Sequence, residues 1–418
     1  MSKIHKPIKK VLFSIKLKKV HSNYFKLLKI VQKKNKIKVA FLVIHESVWK
    51  YDEVYKLMER HQSFEPVIII CPITSYGEDN MIDEMGRAFD SFAQKGYQVI
   101  KTLKKDGSWL NVKNEIEPDI VFFTNPWRLT LEAYYINNFM DTLTCYVPYF
   151  FHVTKHLSEN YGGIVQSFAW KVFYETETHF EYAKIYSKNR ASNVIVTGYP
   201  GIDPFFKGLV EKDPWKIQEK RTKRIIWAPH HTIGGQEDDL KLSNFTSYAN
   251  FFLDLIKKYF SEIQIAFKPH PLLKSKLFRD PNWGVEKTNE YYAIWDTLDN
   301  GLLVEGEYKD LFLTSDAIIH DSGSFSVEYL ATLKPALYTL SDLSQMNSLN
   351  EFGKKAIKCH YKAFIASDIE NFIVNTVIWG DDPMKTSRTE FVKQYLIPPN
   401  RKSASENIID NILSALNK

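Results

Sequence analysis

The chain predicts an α/β protein of two doubly wound parallel sheets, and three observations lead there. It is 418 residues long, more than one hydrophobic core usually organises, so two domains are expected. Short runs rich in Ile, Val and Phe recur along it, separated by stretches of helical spacing, the alternation that produces parallel strands with crossover helices. The clearest interruption is Gly198-Tyr199-Pro200-Gly201-Ile202-Asp203-Pro204, a cluster of turn formers followed by the charged stretch 207–223; it sets the boundary between the halves near residues 198–222.

The elements follow in order. In the first half, residues 37–44, 66–71, 97–100, 119–123, 143–148, 171–174 and 193–196 read as strands, with helices over 51–60 and 81–95. In the second half the strands are 224–228, 263–267, 301–304, 317–319 and 335–338, with helices over 247–260 and 308–315 and an amphipathic one over 405–416. The expected organisation is a basic segment at 1–36, an N-terminal domain at 37–200, a C-terminal domain at 222–400 and a closing helix at 401–418.

Composition narrows the class. Hydrophobic residues make up 44% and charged residues 25%, as in an ordinary globular chain. Cys71, Cys145 and Cys359 are far apart and odd in number, which indicates neither a disulfide framework nor a zinc site and fits a reducing cytoplasm. No run reaches the roughly 20 apolar residues that cross a bilayer. The net charge is +6, yet residues 1–38 hold thirteen lysines and no acid, leaving the other 380 residues at −7. A mildly acidic body argues against a nucleic-acid groove. The basic segment, with Ile8, Val11, Leu12 and Ile15 at helical spacing, reads as an interfacial helix on an anionic membrane surface.

Chemistry concentrates at three strand ends of the second half. These are Pro229-His230-His231, Lys268-Pro269-His270-Pro271 and His320-Asp321-Ser322-Gly323-Ser324. A parallel sheet brings them to one edge, where ligands bind. The last reads as strand, small-residue turn and helix start, an arrangement that offers backbone N–H groups to an anion. Glu328 lies one turn beyond Ser324 on about the same face and suits ribose hydroxyls. Lysine and imidazole can offset charge on a leaving phosphate. The alternative for the turn is a plain serine-capped helix. In the first half, His45, Glu46, Asn125 and the region of His152 fall at strand ends. Glu237-Asp238-Asp239 and Asp381-Asp382-Pro383 read as solvated turns, so no metal is expected. Walker-type, Gly-x-Gly-x-x-Gly and Gly-x-Ser-x-Gly motifs are missing.

These residues resemble the CDP-glycerol glycerophosphotransferase family, the teichoic-acid and capsule polyol-phosphate transferases. Trp227-Ala228-Pro229-His230-His231, Lys268-Pro269-His270-Pro271, Asp321-Ser322-Gly323-Ser324 with Glu328, Gly198-Tyr199-Pro200-Gly201-Ile202-Asp203 and Ser403-Ala404-Ser405-Glu406 carry the likeness, over about 193–412. The resemblance implies two Rossmann-like domains facing each other in the glycosyltransferase B arrangement. It implies a CDP-activated polyol donor, a glycan or polyol-phosphate acceptor, CMP release and no metal cofactor. By position, Ser322, Gly323 and Ser324 would grip the pyrophosphate, Lys268 and His231 would stabilise the phosphates, and Asp321 belongs to the nucleotide-binding set. Glu328 would hold the ribose, while His270 and His230 would act on the phosphates. The family's His-Gly-Thr-Pro-Leu-Lys motif is missing; His152 takes a comparable place as acceptor-side base, with His45 the other candidate. The expected location is the cytoplasmic face of a bacterial membrane. Two competing readings are a nucleotide-sugar transferase of the same fold and a non-catalytic nucleotide-binding scaffold.

Overall fold

A computed structural model describes residues 5–74, 77–234 and 242–418. Glu237-Asp238-Asp239 lie outside the described residues. The chain divides into two units: residues 1–150, 156–203 and 398–418, and residues 151–155 and 204–397.

The first unit is built on a seven-stranded sheet in the order β3-β2-β1-β4-β5-β6-β7. Its strands are β1 Ile37–Val43, β2 Phe64–Ile70, β3 Val99–Lys101, β4 Ile120–Phe123, β5 Leu143–Tyr146, β6 Lys171–Tyr174 and β7 Val194–Val196. Every neighbouring pair runs parallel. β1 is central because it is apolar on both faces; six of its seven residues are buried, Lys38 excepted. The Phe41 ring stacks on Phe122 at 4.7 Å between centroids. The Tyr51 hydroxyl donates to Val147 O at 2.7 Å, tying the helix Asp52–Arg60 to the carboxyl edge.

Both chain ends pack on this unit, which corrects two expected boundaries. The basic segment forms one helix, His5–Val31. Phe13, Leu17, Val20, Tyr24, Leu27, Leu28 and Val31 recur every three or four residues along it and join the core. Tyr24 anchors it by donating to Phe168 O at 2.6 Å. The described part of the basic segment, from His5 on, therefore belongs to the domain, with Val11, Leu12 and Ile15 on the exposed side. The closing helix Ala404–Leu416 likewise belongs to the first unit rather than standing apart. Asp203, 1% exposed, accepts from Ala404 N at 2.9 Å and from Ser405 N and Oγ at 2.8 and 2.6 Å. Its carboxylate satisfies orphan N–H groups at a helix start. Gly198 permits that approach: its φ is +89°, and a Cβ there would lie 2.8 Å from Pro398 Cβ. The turn-former cluster thus serves the docking of the last helix, and the main run of the second unit starts at Pro204, inside the expected boundary region 198–222 but earlier than the expected domain start at 222.

The second unit holds a six-stranded sheet in the order β10-β9-β8-β11-β12-β13. The strands are β8 Lys223–Ala228, β9 Ile263–Phe267, β10 Gly301–Leu303, β11 Ala317–His320, β12 Ala336–Thr339 and β13 Tyr361–Ala363, again all parallel. Trp227 on β8 stacks on Phe252 at 4.1 Å and packs on Trp295 at 5.7 Å, under the helices Phe245–Lys258 and Gly284–Thr297. Among the described residues no helix is long and apolar enough to cross a membrane.

A candidate phosphate-binding edge in the second unit

The strand order marks the edge where a ligand site is expected. From β8 the chain winds through β9 to β10, then returns to the other side of β8 at β11. The switch point lies between β8 and β11, and in open parallel sheets ligands bind outside the carboxyl ends of the strands at such a point. Three adjacent strands, β9, β8 and β11, deliver the three predicted segments to that edge. Lys268 N donates to Trp227 O at 2.8 Å and His270 N to Pro229 O at 3.1 Å, extending the β8–β9 ladder into the loops.

The imidazoles of His230, His231 and His270 meet there. Ring centroids are 4.3 Å apart for His230–His231, 4.2 Å for His231–His270 and 5.1 Å for His230–His270. Their ligand atoms lie within 4.8 Å of one another, a spacing a metal ion could use. The hydrogen bonds favour a different role. Leu272 N–H donates to His270 Nδ1 at 3.1 Å. Thr232 N–H points at His230 Nδ1 at 3.4 Å, with the Thr232 hydroxyl 3.0 Å from it. That hydroxyl accepts from Leu242 N–H at 3.0 Å, which leaves its proton for His230. In both rings Nδ1 is thus the acceptor and the neutral tautomer carries its proton on Nε2. Burial, with neighbouring His231, holds His230 well below the ordinary imidazole range, so it stays neutral at pH 7. Two neutral N–H donors suit phosphate oxygens; a metal needs a lone pair at the same atom.

Asp321 sits across the switch point, and its role differs from the expected one. Its carboxylate is 2% exposed and turned inward. It accepts from His230 N at 2.5 Å and Asn244 N at 2.6 Å, with Thr339 Oγ1 at 3.4 Å. It builds the loop that carries His230 rather than touching a ligand itself. His320, just before it, is buried against His360 and Tyr338, with centroids at 5.3 and 5.2 Å, and closes the strand from inside.

Ser322, Gly323 and Ser324 form the turn after β11, all partly exposed. Val327 and Glu328 N–H bond back to Ser324 O at 2.9 and 3.0 Å, so the amides of Ser324 and Phe325 stand ahead of the first helical bonds. The Ser324 side chain makes no cap bond to the helix Phe325–Glu328, which answers the alternative of a serine-capped helix. A Cβ on Gly323 would meet only Val153 Cγ2, at an ordinary 3.5 Å. Glu328 is 1% exposed, and its carboxylate accepts from the Tyr308 hydroxyl. Lys268 is buried, its ammonium 6.0 Å from the Tyr308 ring centroid.

The two candidates for an acceptor-side base fall in different units. His152 is in segment 151–155 of the second unit, where Thr154 bridges Leu349 and Asn350 Nδ2 donates to His152 O at 2.7 Å. The segment borders the Ser322–Ser324 turn through Val153, although the His152 side chain is fully buried. His45 is at the carboxyl end of β1 in the first unit, half-buried, with Ser47 Oγ at 2.7 Å from Nδ1. Burial lowers its pKa. Glu46 is engaged by Ser91 and Lys95 at 2.5 and 2.7 Å, and Asn125 folds onto Trp127 backbone as a turn former.

Two contributors were not singled out in the sequence. Thr232 orients His230, and a hydroxyl two residues after a strand-end histidine is its only signal. Tyr308 follows β10, one strand beyond β9, and only that place in the sheet marks it.

Comparison with known proteins identifies the family and the fold. The model of the family described as CDP-Glycerol:Poly(glycerophosphate) glycerophosphotransferase matches residues 169–414. No curated protein sequence matches the chain. Among solved structures, a variant of the wall teichoic acid polymerase TagF aligns with 98% of this chain and 97% of its own at a TM-score of 0.58 and 13% identity. A TagF structure soaked with CDPG aligns over 100% and 99% at 0.56 and 12%. The UDP-GlcNAc 2-epimerase from Neisseria meningitidis bound to UDP-GlcNAc aligns over 91% and 100% at 0.52 and 16%. These likenesses show the fold: two Rossmann-like domains of the glycosyltransferase B type.

Proposed function

This chain belongs to the CDP-glycerol:poly(glycerophosphate) glycerophosphotransferase family, and on that premise we propose that it moves a polyol phosphate, glycerol phosphate foremost, from a CDP-activated donor to a hydroxyl of a glycan or polyol-phosphate acceptor. The observation that supports this most is the pair of tautomer-fixed imidazoles, His230 and His270, at the strand ends flanking the switch point, the second in the segment that also carries Lys268. In the reaction the acceptor oxygen bonds to the phosphorus that bears the polyol. The bond from that phosphorus to the bridging oxygen breaks, and CMP leaves with the electron pair. Charge grows on the leaving phosphate, where the N–H donors of His230 and His270, the ammonium of Lys268 and the amides of Ser322, Gly323 and Ser324 stabilise it. His231 completes the imidazole wall. The acceptor-side base is His152 or His45, and Glu328 holds the ribose. No metal cofactor is required, since cationic and N–H groups fill that role.

The test is CMP release by the full chain with CDP-glycerol, CDP-ribitol and UDP-sugars, each with a glycerol phosphate oligomer as acceptor. CMP from a CDP-polyol is expected. UDP from a UDP-sugar with none from CDP-polyols would convert the reading to a sugar transferase, and tight CDP binding without turnover to a scaffold.

The acceptor side of this proposal includes an anionic membrane surface at the cytoplasmic face. Val11, Leu12 and Ile15 lie exposed opposite the packed stripe of the first helix, in a segment of lysines such as Lys18 and Lys19. Because deleting that helix would uncover the core, the informative variant is Val11→Asn/Leu12→Asn/Ile15→Asn. It should sediment with phosphatidylglycerol vesicles at least several-fold less than the parent while melting at the same temperature; equal sedimentation would refute the surface.

A further inference from the structure

Tyr308 lies outside every motif discussed so far, yet it touches two groups of the site. Its ring is wedged between Phe312 and Phe325, each 4.8 Å away between centroids. The hydroxyl reaches inward and donates to Glu328 Oε2. Burial and the neighbouring carboxylate keep that phenol protonated far above neutrality, so its proton stays available to the carboxylate. Glu328 ends the helical turn Phe325–Glu328, which runs on directly into the 3-10 turn Tyr329–Thr332, and its side chain is buried. Tyr308 stands just before the separate helix Lys309–Thr314, so it braces Glu328 from outside that turn.

We propose that Tyr308 is the positioning residue that lets this site distinguish a ribonucleotide from a 2′-deoxyribonucleotide. It rests on the reading above that Glu328 receives the ribose. A carboxylate discriminates a cis-diol from a single hydroxyl only when its plane is held so that both O–H groups meet an oxygen. A rotating carboxylate can follow one hydroxyl and gains little from the second. The Tyr308 hydroxyl fixes Oε2, and with it the carboxylate plane. The ring serves the same end at the phosphate side, lying under the Lys268 ammonium.

The experiment measures dissociation constants of CDP and 2′-deoxy-CDP for the full chain, for Tyr308→Phe, for Glu328→Gln and for the double variant. Phenylalanine keeps the ring and its packing, so the fold is retained. The parent should prefer CDP by about tenfold or more, the size of one hydrogen bond to a charged group. Tyr308→Phe should cut that preference several-fold, weakening CDP while scarcely changing 2′-deoxy-CDP. The double variant should match Glu328→Gln alone, because one residue acts through the other. Equal weakening of both nucleotides, or additive effects in the double variant, would overturn the proposal. A parent that binds CDP and 2′-deoxy-CDP alike would also overturn it while leaving a cytidine donor intact. A parent that binds neither would bring down the donor assignment itself, and this proposal with it.

Discussion

His270→Ala lowers CMP release from CDP-glycerol by about 10²–10³-fold, the loss typical for removing one preorganised donor to developing negative charge. The basis is the tautomer. Leu272 N–H occupies His270 Nδ1, so the proton sits on Nε2 and faces the site as a donor. The side chain is aimed by Pro269 and Pro271, which restrict the backbone on either side. A donor role and a proton-shuttle role make opposite predictions for His270→Gln. A glutamine carboxamide places an N–H close to the position of Nε2, so it recovers a good part of the rate if the ring only donates. It recovers nothing if the ring must give up a proton. The expected result is Gln well above Ala, with the parent's CDP affinity largely kept in both. Gln as inactive as Ala would favour proton transfer, and an Ala variant at parental rate would remove His270 from the chemistry.

The sheets were legible because a strand buried on both faces is apolar apart from an odd paired or edge residue; β1 apart from Lys38, β9 apart from Gln264 and β11 up to His320 read this way. The three strand-end segments were legible for a related reason, since polar residues directly after such a run must lie at the carboxyl edge. What could not be read was the direction a side chain takes once there. Asp321 looks like a ligand-facing acid in Asp-Ser-Gly-Ser, yet two backbone amides claim its oxygens, and those amides belong to residues 91 and 77 positions away. Asp203 misleads similarly: its partners, Ala404 and Ser405, lie some 200 residues on. The packed stripe of the first helix was hidden by lysines, whose spacing resembles a surface helix until Val20, Tyr24 and Val31 find a core. β13 was missed because Tyr-Lys-Ala is too short and too mixed to stand out.

Near pH 5, Asp321→Ala should cost the second unit about 2–5 kcal/mol, the sum expected when two buried amides lose their acceptor. His230 N and Asn244 N have their carboxylate oxygens at 2.5 and 2.6 Å, and alanine offers neither a replacement nor a path for bulk water. Urea unfolding followed through the Trp227–Trp295 cluster reads this directly. The loss should depend on pH in a definite direction. Burial pushes the Asp321 carboxyl up to about 7, against the lowering effect of its amide donors. An unfolded aspartate titrates near 3.9. Between those values the folded chain holds a proton that the unfolded chain has released, so this group's contribution is complete below about 4 and disappears as pH rises through about 7. The gap between parent and Asp321→Ala should therefore narrow from pH 5 toward pH 7, by about 1.4 kcal/mol per pH unit. A gap that widens with pH would mean the carboxylate is stabilised as an anion by its amides more than burial opposes it. A gap of zero at every pH would mean that the His230 loop does not depend on Asp321. CMP release should fall with the loop as well, because His230 loses its fixed backbone before it loses its ring, and Asp321→Asn should sit between the two, its one carbonyl oxygen able to receive only one of the amides.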